Sequence, residues 1–379
     1  MKNILFIANS DRNWMGGVYY VRNIVYQFLM YPLTVNTFRV FIYLDKSVAA
    51  EFDFCKKYEN VKLIYRKNSI FEKKDNKFSR NYAKLKLINV VYKEKIDYIY
   101  PYFTHDALLS RKAISWIPDF QHYWLKDFFS NEEYEIRERY YLDIAHNHYK
   151  LILSSKDSYN TYKKLYPNDL KNVFVVPFIS ALDEKSVLEE KSQEIFDKYT
   201  ISDSNYFLVS NQFWQHKNHA VVIEALKIVR NKGYDKIKVV CTGLTEDYRN
   251  KQYFDDLLGK IELNGIGDNI KILGMIPRID QLHLMKNAIA VIQPSLFEGW
   301  GTVVEDAKTL GKITVMSDIE VHKEQKDEKS LLFKKNSPSE LAEILIELWD
   351  EYSGKEKIYK FGINKVEEYG KNFYDAVVF

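Results

Sequence analysis

Residues 294–311 read PSLFEGWGTVVEDAKTLG, and no other stretch restricts the fold of this chain so tightly. The apolar run 288–292 just before it has the continuous hydrophobicity of a strand buried on both faces. A turn-rich piece follows, and 302–310 then shows helical spacing, with Val303, Ala307 and Leu310 on one side. Thr302 reads as the N-cap, Glu305 as its capping-box partner three residues on, and Gly311 as a left-handed C′ residue. Strand, glycine loop and helix start together aim backbone N–H groups and the positive end of the helix dipole at an anion. Glu298 lies in that loop. Its carboxylate suits a ligand that brings hydroxyl groups to the same crevice.

At 379 residues the chain exceeds one ordinary core, so two domains are expected. Strand-like runs at 3–8, 39–44, 61–65, 98–100, 114–117, 151–154 and 173–176 alternate with helical spacing at 81–94 and 132–149. Such alternation predicts parallel strands with helices on both faces. The polar stretch 181–204 reads as a linker. Beyond it come strands at 206–210, 237–242, 270–273 and 313–316, and helices at 218–232 and 247–263. Asp280 reads as the cap of a further helix, and Ser337, Pro338 and Glu340 open another. The expected organisation is α/β: two doubly wound, Rossmann-like parallel-sheet domains, 1–180 and 205–355, facing a cleft. Residues 356–379 read as a terminal helix that can cross back to the first domain.

Composition narrows the class. Hydrophobic content of 46% and charge of 28% belong to a globular protein, and no apolar run is long enough to span a membrane. MKNILFIANS enters a strand pattern directly, without the features of a cleaved signal. Two separated cysteines, Cys55 and Cys241, fit a reduced, cytoplasmic protein. A net charge of +3 does not point to nucleic acid. Between Lys62 and Lys95, however, bases outnumber acids and apolar residues interleave with them. This is either a solvated helix face or a patch resting on the anionic inner face of a membrane. The 29 tyrosines and 23 phenylalanines are read as ordinary packing before a sugar-stacking surface.

Three further clusters hold candidate chemistry. Gly16 and Gly17 fall between the first strand and first helix, where nucleotide-binding α/β domains bring backbone close to phosphate. In NQFWQHKNH, residues 211–219, Lys217 stands near a helix start, the wrong end for a cation on dipole grounds, and so reads as a ligand contact. In WIPDFQH, residues 116–122, His122 sits beyond the carboxyl end of a strand, with Asp119 placed to orient the loop or the ring. His146 and His148 lack partners at metal-site spacing, and no nucleophile triad is readable.

The segment 294–311, with the continuation KITVMSDIEVHKEQ, resembles the donor-binding region of family 4 (group 1) retaining glycosyltransferases of the GT-B fold, polysaccharide-assembly type. The resemblance covers both halves and is strongest over 210–325. The family pattern is a glutamate, a glycine–aromatic–glycine turn, and a second glutamate eight positions after the first. Here Glu298 and Glu305 stand seven apart, around Gly299, Trp300 and Gly301. The resemblance implies that Glu298 holds the donor sugar, Glu305 the ribose, and Gly299 to Thr302 the donor through their backbone. It also implies that Lys217 clamps the diphosphate. Gln212 stands where most members have an arginine, and His216, if protonated, supplies part of that charge. His122 matches the first-domain histidine that approaches the reacting sugar. The implied activity is transfer of a sugar from a nucleotide-diphosphate sugar, UDP or GDP, to a glycan or lipid-linked acceptor, with no metal and no further cofactor. Two other readings share the features: a GT-B sugar-nucleotide 2-epimerase, and a glycan- or nucleotide-binding protein without catalysis.

Overall fold

The computed structural model describes residues 1–8, 15–66, 77–102, 109, 111–189, 191–202, 204–355, 360–362 and 365–379. They fall into two compact units, the first made of Met1–Phe120, Glu135–Ala181 and Lys365–Phe379, the second of Gln121–Tyr134 and Leu182–Asn364. The first unit is thus not the unbroken segment 1–180. A strap of fourteen residues within that range, Gln121–Tyr134, is grouped with the second unit.

The first unit is built on seven parallel strands: β1 (Lys2–Ala8), β2 (Phe38–Leu44), β3 (Val61–Tyr65), β4 (Tyr98–Tyr102), β5 (Ala113–Ile117), β6 (Lys150–Leu153) and β7 (Val173–Val175), in the order β3-β2-β1-β4-β5-β6-β7. Alternation along β1 sends Leu5 and Ile7 to one face, with Phe41, Tyr43 and Val91, while Phe6 packs on the other. There Phe6, Phe28 of the Met15–Met30 helix and Phe373 of the Val366–Val378 helix bring their rings within 5.1–5.9 Å of one another. Buried Lys150 donates to the carbonyls of Ala376 at 3.0 Å and Val377 at 2.6 Å, a cation on the negative end of that last helix. Burial lowers its ammonium to a pKa of about 8.

The second unit carries β8 (Phe207–Ser210), β9 (Val239–Thr242), β10 (Ile270–Ile272), β11 (Ala290–Gln293), β12 (Ile313–Ser317) and β13 (Ser330–Phe333), again all parallel, in the order β10-β9-β8-β11-β12-β13. Phe207 and Val209 pack beneath the His219–Asn231 and Pro338–Tyr352 helices. Leu208, Val240 and Val291 pack on the opposite face, against Leu284 and Met285 of the Arg278–Asn287 helix and Ala307 of the Thr302–Thr309 helix. Both faces of the sheet are therefore apolar, as the unbroken hydrophobic runs require.

Several expectations are corrected here. The stretch 181–204 carries two short helices, Glu184–Leu188 and Ser192–Tyr199, which bury Val187, Ile195 and Phe196 in the second unit's core. Asp280 does not cap its helix, whose N-cap is Pro277; its carboxylate instead takes Lys198 Nζ and Tyr199 Oη, each at 2.6 Å. The expected helix at 247–263 begins only at Tyr253. Of the basic stretch Lys62–Lys95, residues 67–76 lie outside the described residues.

Candidate functional site

In the second unit the winding reverses between β8 and β11, and in open α/β sheets ligands gather at the carboxyl ends beside that reversal. Two loops leave there, 211–218 and 294–301. They are joined edge to edge: Leu296 N donates to His216 O at 2.8 Å, and Asn211 Nδ2 donates to Gln293 Oε1 at 2.9 Å. β9 presses on the first loop from its other side. A Cβ on Gly243, where φ is +143°, would stand 2.1 Å from Asn211 O, so only glycine allows this approach.

At the meeting of the loops Lys217 Nζ donates to Glu298 Oε1 at 2.6 Å. The same oxygen accepts from Gln293 Nε2 at 2.9 Å and Ser295 Oγ at 2.7 Å. The two charged side chains are 17% and 10% exposed, which removes much of the solvent screening and makes the pair stronger than a surface contact. Behind it, Ser317 Oγ donates to Ser295 O at 2.5 Å, and His322 Nδ1–H donates to Ser317 O at 2.9 Å. Burial, above all, pushes the His322 imidazole down to a pKa of about 4, so it stands neutral.

The helix after the second loop starts differently from expectation. Thr302 is its first residue, so Gly301 is the N-cap and the expected Thr302–Glu305 capping box does not form. Gln325 takes over that work. Its Oε1 accepts from Gly301 N at 3.1 Å, and its Nε2 donates to Gly301 O at 3.0 Å and to Glu305 Oε1 at 2.9 Å. A side chain on Gly301 would begin 2.9 Å from Gln325 Oε1, so a larger residue there would have to displace the Gln325 amide. Lys308 Nζ lies 3.1 Å from the same Glu305 oxygen. Glu305 is buried, and burial raises its carboxyl above the ordinary carboxylate range despite the pull of Lys308 and Gln325. Gly311 ends the helix in the left-handed region, φ +64°, as its sequence position requires. Trp300 is buried beside this turn, with Gly299 and Thr302 half-buried.

Arg249 Nη2 lies 3.4 Å from Nδ1 of the buried His216. Arg249 brings a buried positive charge to this corner, its side chain 6% exposed. The guanidinium sits 4.8 Å from the Phe129 ring and 4.9 Å from that of Trp214, and its Nη1 donates to Gln121 Oε1 at 3.1 Å. Asp247 balances it at 3.6 Å and also accepts from Gln215 N. Gln212 is half-buried on the same loop.

His122 follows Gln121 on the short Gln121–Trp124 helix. It is wholly buried, its ring 5.6 Å from Tyr134 and 6.3 Å from Phe129, so it packs within the strap of the second unit. Asp119 belongs to the first unit, 3.9 Å from Arg137 Nη1. Gly16 and Gly17 also lie there, in the first turn of the Met15–Met30 helix and not in a loop. Their amides belong to a helix N-terminus, whose first N–H groups lack intrahelical partners. The loop 9–14 itself lies outside the described residues. Among the described residues no group of three or more His, Cys, Asp or Glu side chains is arranged to hold a metal ion.

Residues 191–365, which contain both loops, Glu305 and Gln325, match the model of the family described as glycosyl transferases group 1. This segment belongs to that family. No curated protein matches the sequence at a significant level. Among solved structures, the chain is similar in fold to Anabaena Alr3699/HepE in complex with UDP and glucose, at 14% identity, TM-score 0.64, covering 99% of this chain and 95% of that one. It is similar also to a glycosyltransferase from Rickettsia africae, at 16% identity, TM-score 0.62, covering 100% and 93%. A third likeness is to WaaG, a glycosyltransferase involved in lipopolysaccharide biosynthesis, at 12% identity, TM-score 0.57, covering 100% and 95%. The fold is GT-B.

Within the glycosyl transferase segment, sequence reasoning missed Gln293, Ser295, Arg249 and Gln325. Gln293 and Ser295 were visible as the polar end of an apolar strand, and a polar residue there needs a partner. Gln325 carried no local signal, since it reaches back twenty positions to Glu305.

Glu305 yields a test with a definite sign. A carboxyl whose folded pKa is raised favours the fold while protonated, and that contribution is lost as pH rises through the folded value. Glu305→Gln removes the penalty of burying the charge. The melting temperature of the variant minus that of the parent should therefore increase between about pH 4 and about pH 8. Thermal melts across that range check it, and a difference that falls with pH contradicts the burial argument.

Proposed function

We propose that this protein is a nucleotide-sugar-dependent, retaining glycosyltransferase, a hexosyltransferase that extends a glycan or lipid-linked glycan in surface polysaccharide assembly. The observation that carries the reading is the Lys217–Glu298 pair, set at the carboxyl ends of the two central strands within the group 1 glycosyl transferase segment. In the reaction the bond from the anomeric carbon to the diphosphate breaks and a bond to an acceptor hydroxyl oxygen forms, the hydroxyl proton passing to the departing diphosphate. Lys217 would stabilise charge on the departing diphosphate, the contribution that lowers such barriers most. Glu298 would orient the sugar, with His122 as a second orienting group, and Glu305 would hold the ribose. Gln212 and the 299–302 backbone would line the donor. The cation is supplied by the chain itself, so we assign no metal and no further cofactor to the reaction.

Retention follows the family that the segment resembles. HepE, solved with UDP and glucose, supports a UDP-type donor, and WaaG supports an acceptor of surface polysaccharide type. Cys55 and Cys241 are free and buried, their thiols pushed up to about 12, which suits the reducing cytoplasm. Among the described residues no helix is long and apolar enough to cross a membrane. We assign a peripheral contact instead to the Lys77–Lys93 helix, where Leu85 and Tyr92, each 63% exposed, stand beside exposed Lys84 and Lys93.

Two measurements test these readings. A panel of UDP- and GDP-sugars, assayed for nucleotide release with and without an acceptor extract, should show release that depends on acceptor and survives EDTA. Sugar conversion without acceptor would favour the epimerase reading, and binding without turnover the non-catalytic one. The protein should sediment with anionic vesicles more than with neutral ones at low salt, and Leu85→Glu with Tyr92→Glu should abolish the excess. Equal recovery on both vesicle types rejects the membrane contact.

A further inference from the structure

Lys217 and Glu298, assigned to opposite parts of the donor, are bonded to each other at 2.6 Å. Once an anion draws the ammonium away, Glu298 Oε1 keeps two neutral donors, Gln293 Nε2 and Ser295 Oγ, but loses its cation at a position only 10% exposed. A partly buried carboxylate stripped of its counter-charge is costly, and more so beside an incoming diphosphate of the same sign.

Resting on the donor reading above, we propose that the Lys217–Glu298 ion pair is a latch that selects the intact nucleotide sugar over the nucleoside diphosphate. Either ligand must take Lys217 from Glu298. Only the nucleotide sugar brings a hydroxyl group that donates to the carboxylate and restores what the ammonium gave. The bare nucleoside diphosphate opens the latch and leaves Glu298 without that compensation. After transfer, closure of Lys217 back onto Glu298 helps to expel the product.

The latch makes a counter-intuitive forecast: removing a donor-site charge tightens the product. Calorimetric titration with UDP, GDP, UDP-glucose and GDP-mannose is made on the wild type, Glu298→Gln, Lys217→Met and the double variant. Glu298→Gln should bind the nucleoside diphosphate about tenfold more tightly than wild type, the equivalent of about 1.4 kcal/mol. The preference for nucleotide sugar over nucleoside diphosphate should shrink in the same variant. The gain should vanish when Lys217 is already methionine, because there is no ammonium left to release. Glu298→Ser is measured beside it, so that either folded variant answers the question. Unchanged or weaker nucleoside diphosphate binding overturns the latch. A gain that persists without Lys217 also overturns it, since simple repulsion then accounts for the effect. If the wild type binds none of the four nucleotides, the donor reading itself fails and the latch with it.

Discussion

The second unit's site depends on one contact, the ion pair that Lys217 makes with Glu298 across two loops. Each partner comes from a different crossover of the sheet, so the pair forms only if β8 and β11 are neighbours in register. Val291 pairs with Leu208 and Ile292 with Val209, which places the two loop starts side by side. The apolar strands supply the stability and the polar loop ends supply the chemistry. Neither loop holds its shape alone: the Leu296–His216 backbone bond and the Asn211–Gln293 side-chain bond join them.

Around the pair the protein spends buried polar groups on geometry. Gln325 fixes Gly301 and Glu305 together, and the Ser295–Ser317–His322 chain backs the Glu298 loop. Arg249 bonds Gln121 of the strap and lies against His216, so the residue that precedes His122 is tied to the first loop. Such networks are stabilising only when their members are partnered, which makes each a site where one substitution has large effects.

Much of the fold was legible because strand periodicity and helix caps are local signals. The apolar run before Pro294 and the Ser337, Pro338 and Glu340 start each show up as elements, and Ser337 Oγ does accept from Glu340 N at 3.3 Å. Glu298 and Lys217 were legible too, through loop position and motif resemblance, and the structure brings them into contact. What the sequence concealed is non-local. The Thr302–Glu305 capping box was a sound local inference, yet the helix starts one residue earlier, Glu305 N donates to Gly301 O, and Gln325, distant in sequence, holds Gly301 and the Glu305 carboxyl. Gln212 stands on the first loop where the resemblance leads one to expect a cation, and Arg249, brought in from the loop after β9, lies buried beside His216. No pairwise spacing announces such a contact, because tertiary folding creates it.

Loops 211–218 and 294–301 meet at the Lys217–Glu298 pair, and as one donor site they should respond together to a nucleotide sugar. Hydrogen–deuterium exchange of the full chain, with and without the nucleotide sugar that binds best in titration, tests this most directly. Slowed exchange in both loops and in the first turn after Gly301, with other segments little changed, is the expected result. Protection confined to other parts of the chain, with both loops exchanging as in the free protein, would contradict it.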